Sequence, residues 1–369
     1  MNQLFRWNQM GLFLLALAAG ILPFAVPEVC AAALREGLTL CSGPLLLSLF
    51  PFLVVSRLLI QCPESDLLAL PFRLAAWGIG IRTPCAARVL CIGFLGGFAP
   101  AASAAAQAVR TGQLTAEEAD ALLPACICSG PSFVVLTVGQ SLLGSAELGV
   151  LLFASQITAN YLTAALLNRF AGAHSVKPGS AAPASPAPPR LDEILADAAI
   201  TYCKLCGFIL FFRMLAAGAG ALLPAGAGTL CSILLEVCSG CDLASRTGRW
   251  GSLLCCAALS VQGLSVLLQV RTICPPEMTL RPLYRSRLLH LPLSLALFYL
   301  LLPGGEADVF STLPARVLLM RRVPPDCALL VFAVCCMAAC TLRNGIRQVE
   351  QKQMARNAGG CCINSKTLL

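Results

Sequence analysis

Long apolar stretches separated by short polar segments account for most of the chain, and their lengths predict membrane-spanning helices. A helix that crosses the hydrocarbon core of a bilayer needs about 20 mainly apolar residues. Because such stretches recur, we predict an all-α polytopic membrane protein with roughly 8–10 transmembrane helices. We expect the first to be a retained helix rather than a cleaved signal peptide. The predicted spans are 11–26, 44–60, 89–109, 130–143, 148–167, 192–223, 253–270, 289–302 and 327–341.

Three further stretches depart from this pattern. Residues 67–81 and 229–241 are apolar but too short to cross as ordinary helices, so we predict two re-entrant or broken segments there. Residues 27–41 mix apolar side chains with three charges, a pattern that favours a helix lying in the membrane interface.

The chain divides into two membrane halves. Residues 171–190 are rich in Pro, Ala and Ser and predict a disordered linker between halves 1–170 and 191–342. Residues 343–369 form a basic tail, which we place in the cytoplasm.

Residues 49–57 align with 205–213, sharing Leu, Phe and Arg at the same spacing. This alignment indicates an internal repeat, and paired repeats with broken segments are typical of transporter folds. The alternative is that two apolar sequences align by chance.

Composition excludes several functional classes. Only 12% of the 369 residues are charged and 57% are apolar, which is too little charge to cover a soluble surface. Two His residues leave little for a His-based zinc site or a Ser-His-Asp triad, and no phosphate-binding loop motif occurs. We therefore predict neither an enzyme nor a bound cofactor. The net charge of +8 is explained by membrane orientation rather than by nucleic-acid binding.

The 21 Cys residues lie mostly in apolar stretches, where Cys packs as a small hydrophobe. The spacings Cys203/Cys206 and Cys238/Cys241 fit a metal or redox pair only weakly. The pair Cys361/Cys362, beside basic residues, is an alternative acylation site.

Candidate binding residues lie where helices are predicted to break. Gly97 and Pro100 interrupt a small-residue span, which indicates either close helix packing or a break that exposes backbone groups to a solute. Ser129, Gly130 and Pro131 begin the next span, an ordinary helix start or an anion-binding one.

Glu236 is the most informative single residue because a carboxylate within an apolar stretch is costly. Four alternatives explain this carboxylate: it is protonated, it is paired with an Arg such as Arg213, it binds a coupling cation, or it meets water at a hairpin tip. We expect the breaks at 97–100 and 236–240 to face each other between the halves. Of the amides within the spans, only Gln269 is assigned to the site.

Several of these segments resemble the sporulation integral membrane proteins of the YlbJ type. The resemblance lies in 27–40 with 49–56, in 96–102 continuing to 110–119 and 129–131, and in 235–240 with 263–266 and Gln269. That family carries the Gate, or nucleoside-recognition, domain. The resemblance implies two Gate-like halves, the cytoplasmic membrane of an endospore-forming bacterium and a role in making the spore envelope.

The sequence also departs from that family's pattern at three places. Phe98 stands where the family has Tyr, Cys126 and Cys128 replace a position that tends to be Asn, and Leu267 replaces His. Each change removes a polar group. Two functions follow: binding or transport of a small solute, such as a nucleoside or a cation, or a scaffold that has lost transport. The expected partners are the lipid bilayer, a second copy of the chain or other sporulation membrane proteins. The predicted solute-binding residues are Gly97, Phe98, Pro100, Ser129, Gly130, Pro131, Glu236, Ser239, Gly240, Gly263, Ser265 and Gln269.

Overall fold

A computed structural model describes residues 2–61, 65–170 and 190–302 of the chain. Every regular element in these ranges is a helix, which confirms the predicted all-α class. Four helical segments are long and apolar enough to cross a membrane by length and composition: Pro27–Leu47, Ala146–Phe170, Leu191–Leu222 and Gly248–Ile273. The predicted linker, apart from residue 190, lies outside the described residues, as do the last predicted span, the tail and the pair Cys361/Cys362.

The helices follow one another with short connections. Those of the first half are α1 (Asn2–Ala25), α2 (Pro27–Ser42), α3 (Pro44–Gln61), α4 (Ser65–Leu68), α5 (Leu70–Gly78), α6 (Pro84–Gly96), α7 (Phe98–Arg110), α8 (Ala116–Cys126), a π-helical arm (Ser132–Leu142) and α9 (Ala146–Phe170). Those of the second half are α10 (Leu191–Leu222), α11 (Ala225–Leu235), α12 (Val237–Ser245), α13 (Gly251–Val261), α14 (Gly263–Ile273) and α15 (Arg281–Leu301).

The pair α2–α3 runs antiparallel to α10 and joins the two halves. Arg57 on α3 forms an ion pair with Asp197 near the start of α10, at 2.7 Å. Near the other end of α10, Arg213 forms an ion pair with Glu36 on α2, at 2.9 Å. The Tyr202 hydroxyl lies between them along α10 and donates to the Cys41 carbonyl. The two Arg residues that the sequence aligns therefore each bind a carboxylate of the other half.

Helices α6 and α7 form a re-entrant hairpin rather than the single span predicted at 89–109. Arg88, early in α6, donates to the Gln113 side chain just after α7, at 3.0 Å. A straight helix would separate these two residues by about 37 Å at 1.5 Å per residue. The hairpin turns at Gly97, so both of its open ends lie at one end of the bundle. We call this the basic end, since Arg57, Arg88, Arg110, Lys204 and Arg271 lie at or near it.

Helix α8 and the π-helical arm form one broken helix that crosses the bundle. Thr83 beside the start of α6 donates to Glu118 in the first turn of α8, which places that turn at the basic end. Helix α9 returns: Asn160 donates to the Ile127 carbonyl at the break, and Asn168 donates to the Ala121 carbonyl nearer the basic end. The connection between the arm and α9 therefore lies at the opposite end.

The second half has the same arrangement with inverted topology, so that its hairpin enters from the opposite end of the bundle. Helix α10 ends at the opposite end, and α11 and α12 form a hairpin that enters from there and turns at Glu236. A Cβ on Gly240 would lie 2.8 Å from the Ile233 Cα, so the two arms fold back on each other. Helices α13 and α14 form the second broken crossing helix, which reaches the basic end where Arg110 donates to the Ile273 carbonyl at 3.5 Å. Opposed repeats of this kind are typical of transporter folds.

One further sequence prediction changes in this fold. The stretch 27–41 is not set apart as an interface helix, since α2 packs along α10 and belongs to a candidate span. The charge of Glu36 is accommodated there by Arg213. The stretch predicted as re-entrant or broken at 67–81 is broken, since it falls in the short helices α4 and α5, which pack against α6. By contrast, the stretch predicted as re-entrant at 229–241 coincides with the α11–α12 hairpin.

Candidate solute-binding site

The two breaks of the first half touch each other. Gly97 has φ +80° and ψ −162°, a conformation that is nearly restricted to glycine. A Cβ on Gly97 would lie 2.6 Å from the Gly130 nitrogen and 2.9 Å from the Gly130 Cα. The tip of the first hairpin therefore packs backbone to backbone on the break of the first crossing helix.

The two breaks of the second half make the equivalent contact. Gln262, in the left-handed conformation with φ +65°, ends α13, and Gly263 with φ +69° begins α14. A Cβ on Gly263 would lie 3.0 Å from the Glu236 nitrogen and 3.0 Å from the Leu235 carbonyl oxygen. The tip of the second hairpin thus packs on the break of the second crossing helix.

All four broken elements meet around one small cavity between the halves, which we call the central pocket. Its volume is about 50 Å³, room for a few water molecules or a small ion and far below the roughly 300–1,000 Å³ of pockets that bury organic ligands. Among its lining residues are five of the predicted site residues: Phe98, Ser129, Gly130, Glu236 and Gln269.

Glu236 combines a capping role with a place in the central pocket. Its residue is 2% exposed, and its two carboxylate oxygens accept the N–H groups of Cys238 and Ser239, at 2.8 and 2.7 Å. This caps the N-terminus of α12. Arg213, one of its expected partners, forms its ion pair with Glu36 instead. Within the described ranges, no basic side chain lies within ion-pair distance of the Glu236 carboxylate.

Gln269, which also lines the central pocket, has a buried side-chain acceptor without a partner among the described residues. Its Nε2 donates to Ser265 Oγ at 2.8 Å, while its Oε1 has no hydrogen-bond partner among the described residues. Gln269 is only 1% exposed. A buried acceptor left unpaired costs about 1–3 kcal/mol, so this oxygen is suited to a ligand or an ordered water.

The remaining predicted residues support the pocket without lining it. Gly97 and Gly263 allow the two backbone contacts, Gly240 allows the second hairpin to close, and Ser265 fixes the Gln269 amide. Ser239 provides an N–H for Glu236, and Pro131 precedes the π-helical arm.

The break predicted at 97–100 is present, but the expectation that Pro100 causes it is wrong. The break lies at Gly97, and Pro100 occupies the first turn of α7, where its missing N–H costs nothing.

Sequence reasoning missed a buried cation beside the breaks. Arg287 on α15 is 8% exposed and donates to the Ser260 carbonyl at 3.4 Å and to Asn160 Oδ1 at 3.2 Å. Ser260 lies at the end of α13, and Asn160 itself donates to Ile127 at the end of α8. A helix C-terminus carries about half a negative charge, so the two ends together balance one guanidinium.

A larger cavity, the vestibule, lies on the same helices at the basic end. Its volume is about 190 Å³. On α7 it begins about 7.5 Å beyond Phe98, at Ser103, and on α14 about 4.5 Å beyond Gln269, at Thr272. Its charged lining residues are Arg57, Arg110, Lys204 and Asp197.

Comparison of the chain with protein-family models, curated proteins and solved structures gives no match. In the part of the chain that the structure describes, no group of three or more His, Cys, Asp or Glu side chains is arranged to hold a metal ion.

Proposed function

We propose that this is a transporter-like membrane protein that binds a small solute between its two opposed halves. The observation that carries the proposal is the meeting of four broken helices at one cavity, with the basic-end hairpin and the opposite-end hairpin contributing Phe98 and Glu236. Backbone groups freed at such breaks need a protein or water-lined cavity, and in inverted-repeat transporters they form the solute site.

The vestibule supports an entry route from the basic end. It adjoins the central pocket along α7 and α14, and three basic side chains against one carboxylate give it a net charge of +2. A charged concave surface raises the local concentration of solutes of opposite sign. The vestibule therefore favours anions over cations among the solutes that enter there.

The finer identity rests on the sequence resemblance. We propose a Gate-domain protein of the YlbJ type in the cytoplasmic membrane of an endospore-forming bacterium, with a role in making the spore envelope. The two opposed halves are compatible with paired Gate-like repeats, and loss of spore cortex in a deletion strain is the outcome expected in such a bacterium.

The second candidate is a scaffold for spore-envelope assembly that has lost transport. Phe98, a residue with no polar group in its side chain, lines a central pocket of only about 50 Å³, and this favours the scaffold. A scaffold needs no route between the vestibule and the pocket.

Uptake into liposomes distinguishes the two functions. Purified protein is reconstituted and tested with nucleosides, small organic anions, metal ions and protons, beside Ser129→Phe, which fills the pocket. The matched control is Ser141→Phe, an exposed site on the π-helical arm. We expect one solute class to enter, with uptake at least tenfold lower for Ser129→Phe only. If no class enters with any protein, transport is contradicted and the scaffold is favoured.

A further inference from the structure

We propose that the central pocket is a binding site for one monovalent cation, held by the Glu236 carboxylate and the Gln269 side-chain oxygen. This inference rests on the proposed function, because it names a ligand for the same pocket. Its first support is size: about 50 Å³ accommodates an ion with a few waters but no nucleoside.

The second support is the charge balance at Glu236. Both carboxylate oxygens accept a backbone N–H, and we take the carboxylate as ionised, the form in which both oxygens act only as acceptors. The N-terminus of α12 supplies about half a positive charge, and the C-terminus of α11, which ends at Leu235, supplies about half a negative charge. These two contributions cancel. Arg213, which acts on Glu236 at longer range, is already paired with Glu36, so about one full negative charge remains in a buried place.

The third support is the supply of free acceptor positions. An ionised carboxylate has about four lone-pair sites, and the two N–H groups use only two of them. Gln269, which lines the same pocket, is 1% exposed, and its Oε1 has no hydrogen-bond partner among the described residues. Oxygen ligands of this kind suit hard cations.

The presence of a single carboxylate among the described lining residues of the central pocket favours a monovalent cation over a divalent one. Mg²⁺ dehydrates reluctantly, and Ca²⁺ requires six to eight oxygen ligands, usually with several carboxylates. In the described part of the chain, Glu236 is the only carboxylate that lines the central pocket. One positive charge neutralises the pocket, whereas two would leave an uncompensated buried charge.

A bound cation also explains how an anionic solute can approach a negatively charged pocket from a positively charged vestibule. The vestibule has a net positive charge, whereas the pocket behind it has a negative one. An anionic solute attracted into the vestibule would be repelled by Glu236 unless a cation were bound beside it. Cation and solute therefore favour each other's binding, which is the requirement for coupling.

Direct binding of radioactive Na⁺ to the purified full chain tests the site, at constant ionic strength with N-methyl-D-glucamine as the replacement cation. K⁺, NH₄⁺ and Mg²⁺ serve as competitors. We expect one Na⁺ per chain, competition by at least one of the other monovalent cations and little competition by Mg²⁺. Absence of binding of every monovalent cation overturns the proposal, and so does stronger competition by Mg²⁺ than by any monovalent cation.

Two variants locate the bound ion. Glu236→Gln removes the charge, and Gln269→Leu removes the free oxygen while leaving the carboxylate. We expect each to lower Na⁺ affinity at least tenfold. The matched controls are Glu147→Gln, an exposed carboxylate in the first turn of α9, and Gln140→Leu, an exposed amide on the π-helical arm. Wild-type affinity in Gln269→Leu overturns the proposal even if Glu236→Gln fails to fold.

The liposome experiment separates this inference from the proposed function. Solute uptake that is blocked by Ser129→Phe, together with no cation binding, overturns the cation site and leaves solute transport standing. Stoichiometric Na⁺ binding that depends on Glu236 and Gln269, with no solute uptake, supports the cation site and contradicts transport.

Discussion

At the scale of single residues, the central pocket depends on glycines that allow backbones to touch. Two separate reasons require glycine at position 97. Its φ and ψ values lie in a region nearly restricted to glycine, and its missing Cβ leaves space for Gly130. Gly80 offers a natural comparison, because its φ of +90° is also positive but, its chain neighbours aside, no atom of the described residues lies within 4 Å of a Cβ placed there.

Substitution by alanine separates conformational strain from the close contact. Gly80→Ala pays only for the positive φ, about 1–2 kcal/mol. Gly97→Ala adds a collision with backbone at 2.6 Å, which no flexible side chain can relieve. We expect Gly97→Ala to lower the thermal unfolding temperature in detergent clearly more than Gly80→Ala, and to abolish Na⁺ binding. Equal losses for the two variants would show that the hairpin tip does not pack on Gly130.

The sequence predicted some of these residues because their chemistry is unusual where they stand. Glu236 is a carboxylate in an apolar stretch, and Gly97 and Gly130 lie at predicted helix boundaries. The helix break was assigned partly to Pro100, because proline removes an N–H. The structure shows that a proline in the first helical turn does not interrupt the helix. Only backbone angles identify Gly97 as the turn.

At the scale of elements, the fold depends on how the broken helices are held together. Arg287 connects the C-terminal ends of α8 and α13 through Asn160 and the Ser260 carbonyl. No carboxylate within the described ranges lies within ion-pair distance of its guanidinium. The helix ends supply the compensating charge, so the arginine acts as a positioning residue for both breaks.

Replacement of Arg287 should therefore affect stability and the site together. Arg287→Met leaves buried carbonyl and amide oxygens without a donor, and we expect a loss of about 1–3 kcal/mol. Arg287→Lys keeps the positive charge but lacks the several fixed N–H donors of a guanidinium. Its loss of stability should therefore lie between zero and that of Arg287→Met. Arg285→Met, an exposed position on the same helix, should change stability by less than about 0.5 kcal/mol. Thermal unfolding measures all three, and indistinguishable values for Arg285→Met and Arg287→Met would refute the positioning role.

Sequence reasoning found one hairpin of the two and missed Arg287. The 229–241 stretch is visibly too short to cross, whereas 89–109 has the full length of a span and folds back only because of one glycine. Arg287 lies just outside the span predicted at 289–302, whereas the helix begins at Arg281. A usable signal was present, since Ser286, His290 and Ser294 recur every four residues and are all buried on one face of α15.

At the scale of the whole molecule, the two halves are related by an inversion across the bundle. The ion pairs Arg57–Asp197 and Arg213–Glu36 show the relation, because they join aligned Arg residues to the partner half at opposite ends. Periodicity predicts helices and their order, but it carries no information on direction. Only the contacts between distant segments, such as Arg88 with Gln113, reveal which end each hairpin enters from.

The distribution of basic residues gives the molecule an orientation. Arg82, Arg110, Arg169 and Arg281 lie at helix boundaries of the basic end, whereas at the opposite end Arg246 and Arg249 are offset by Asp242 and Glu147. Because cytoplasmic loops carry an excess of Lys and Arg, we expect the basic end to face the cytoplasm. The tail at 343–369 is expected on the same side.

Epitope tags inserted at three surface glycines test the central claim, that two hairpins enter from opposite faces and meet in the middle. In the described part of the chain, no atom other than those of the chain neighbours lies within 4 Å of a Cβ at Gly80, Gly144 or Gly248, so each connection has room for an insertion. Gly80 lies at the basic end, while Gly144 and Gly248 lie at the opposite end. With an impermeant antibody on cells stripped of their wall, we predict labelling at 144 and 248, and at 80 only after permeabilisation. Tags at 80 and 248 on the same face of the membrane would contradict the opposed hairpins and, with them, the site between the halves.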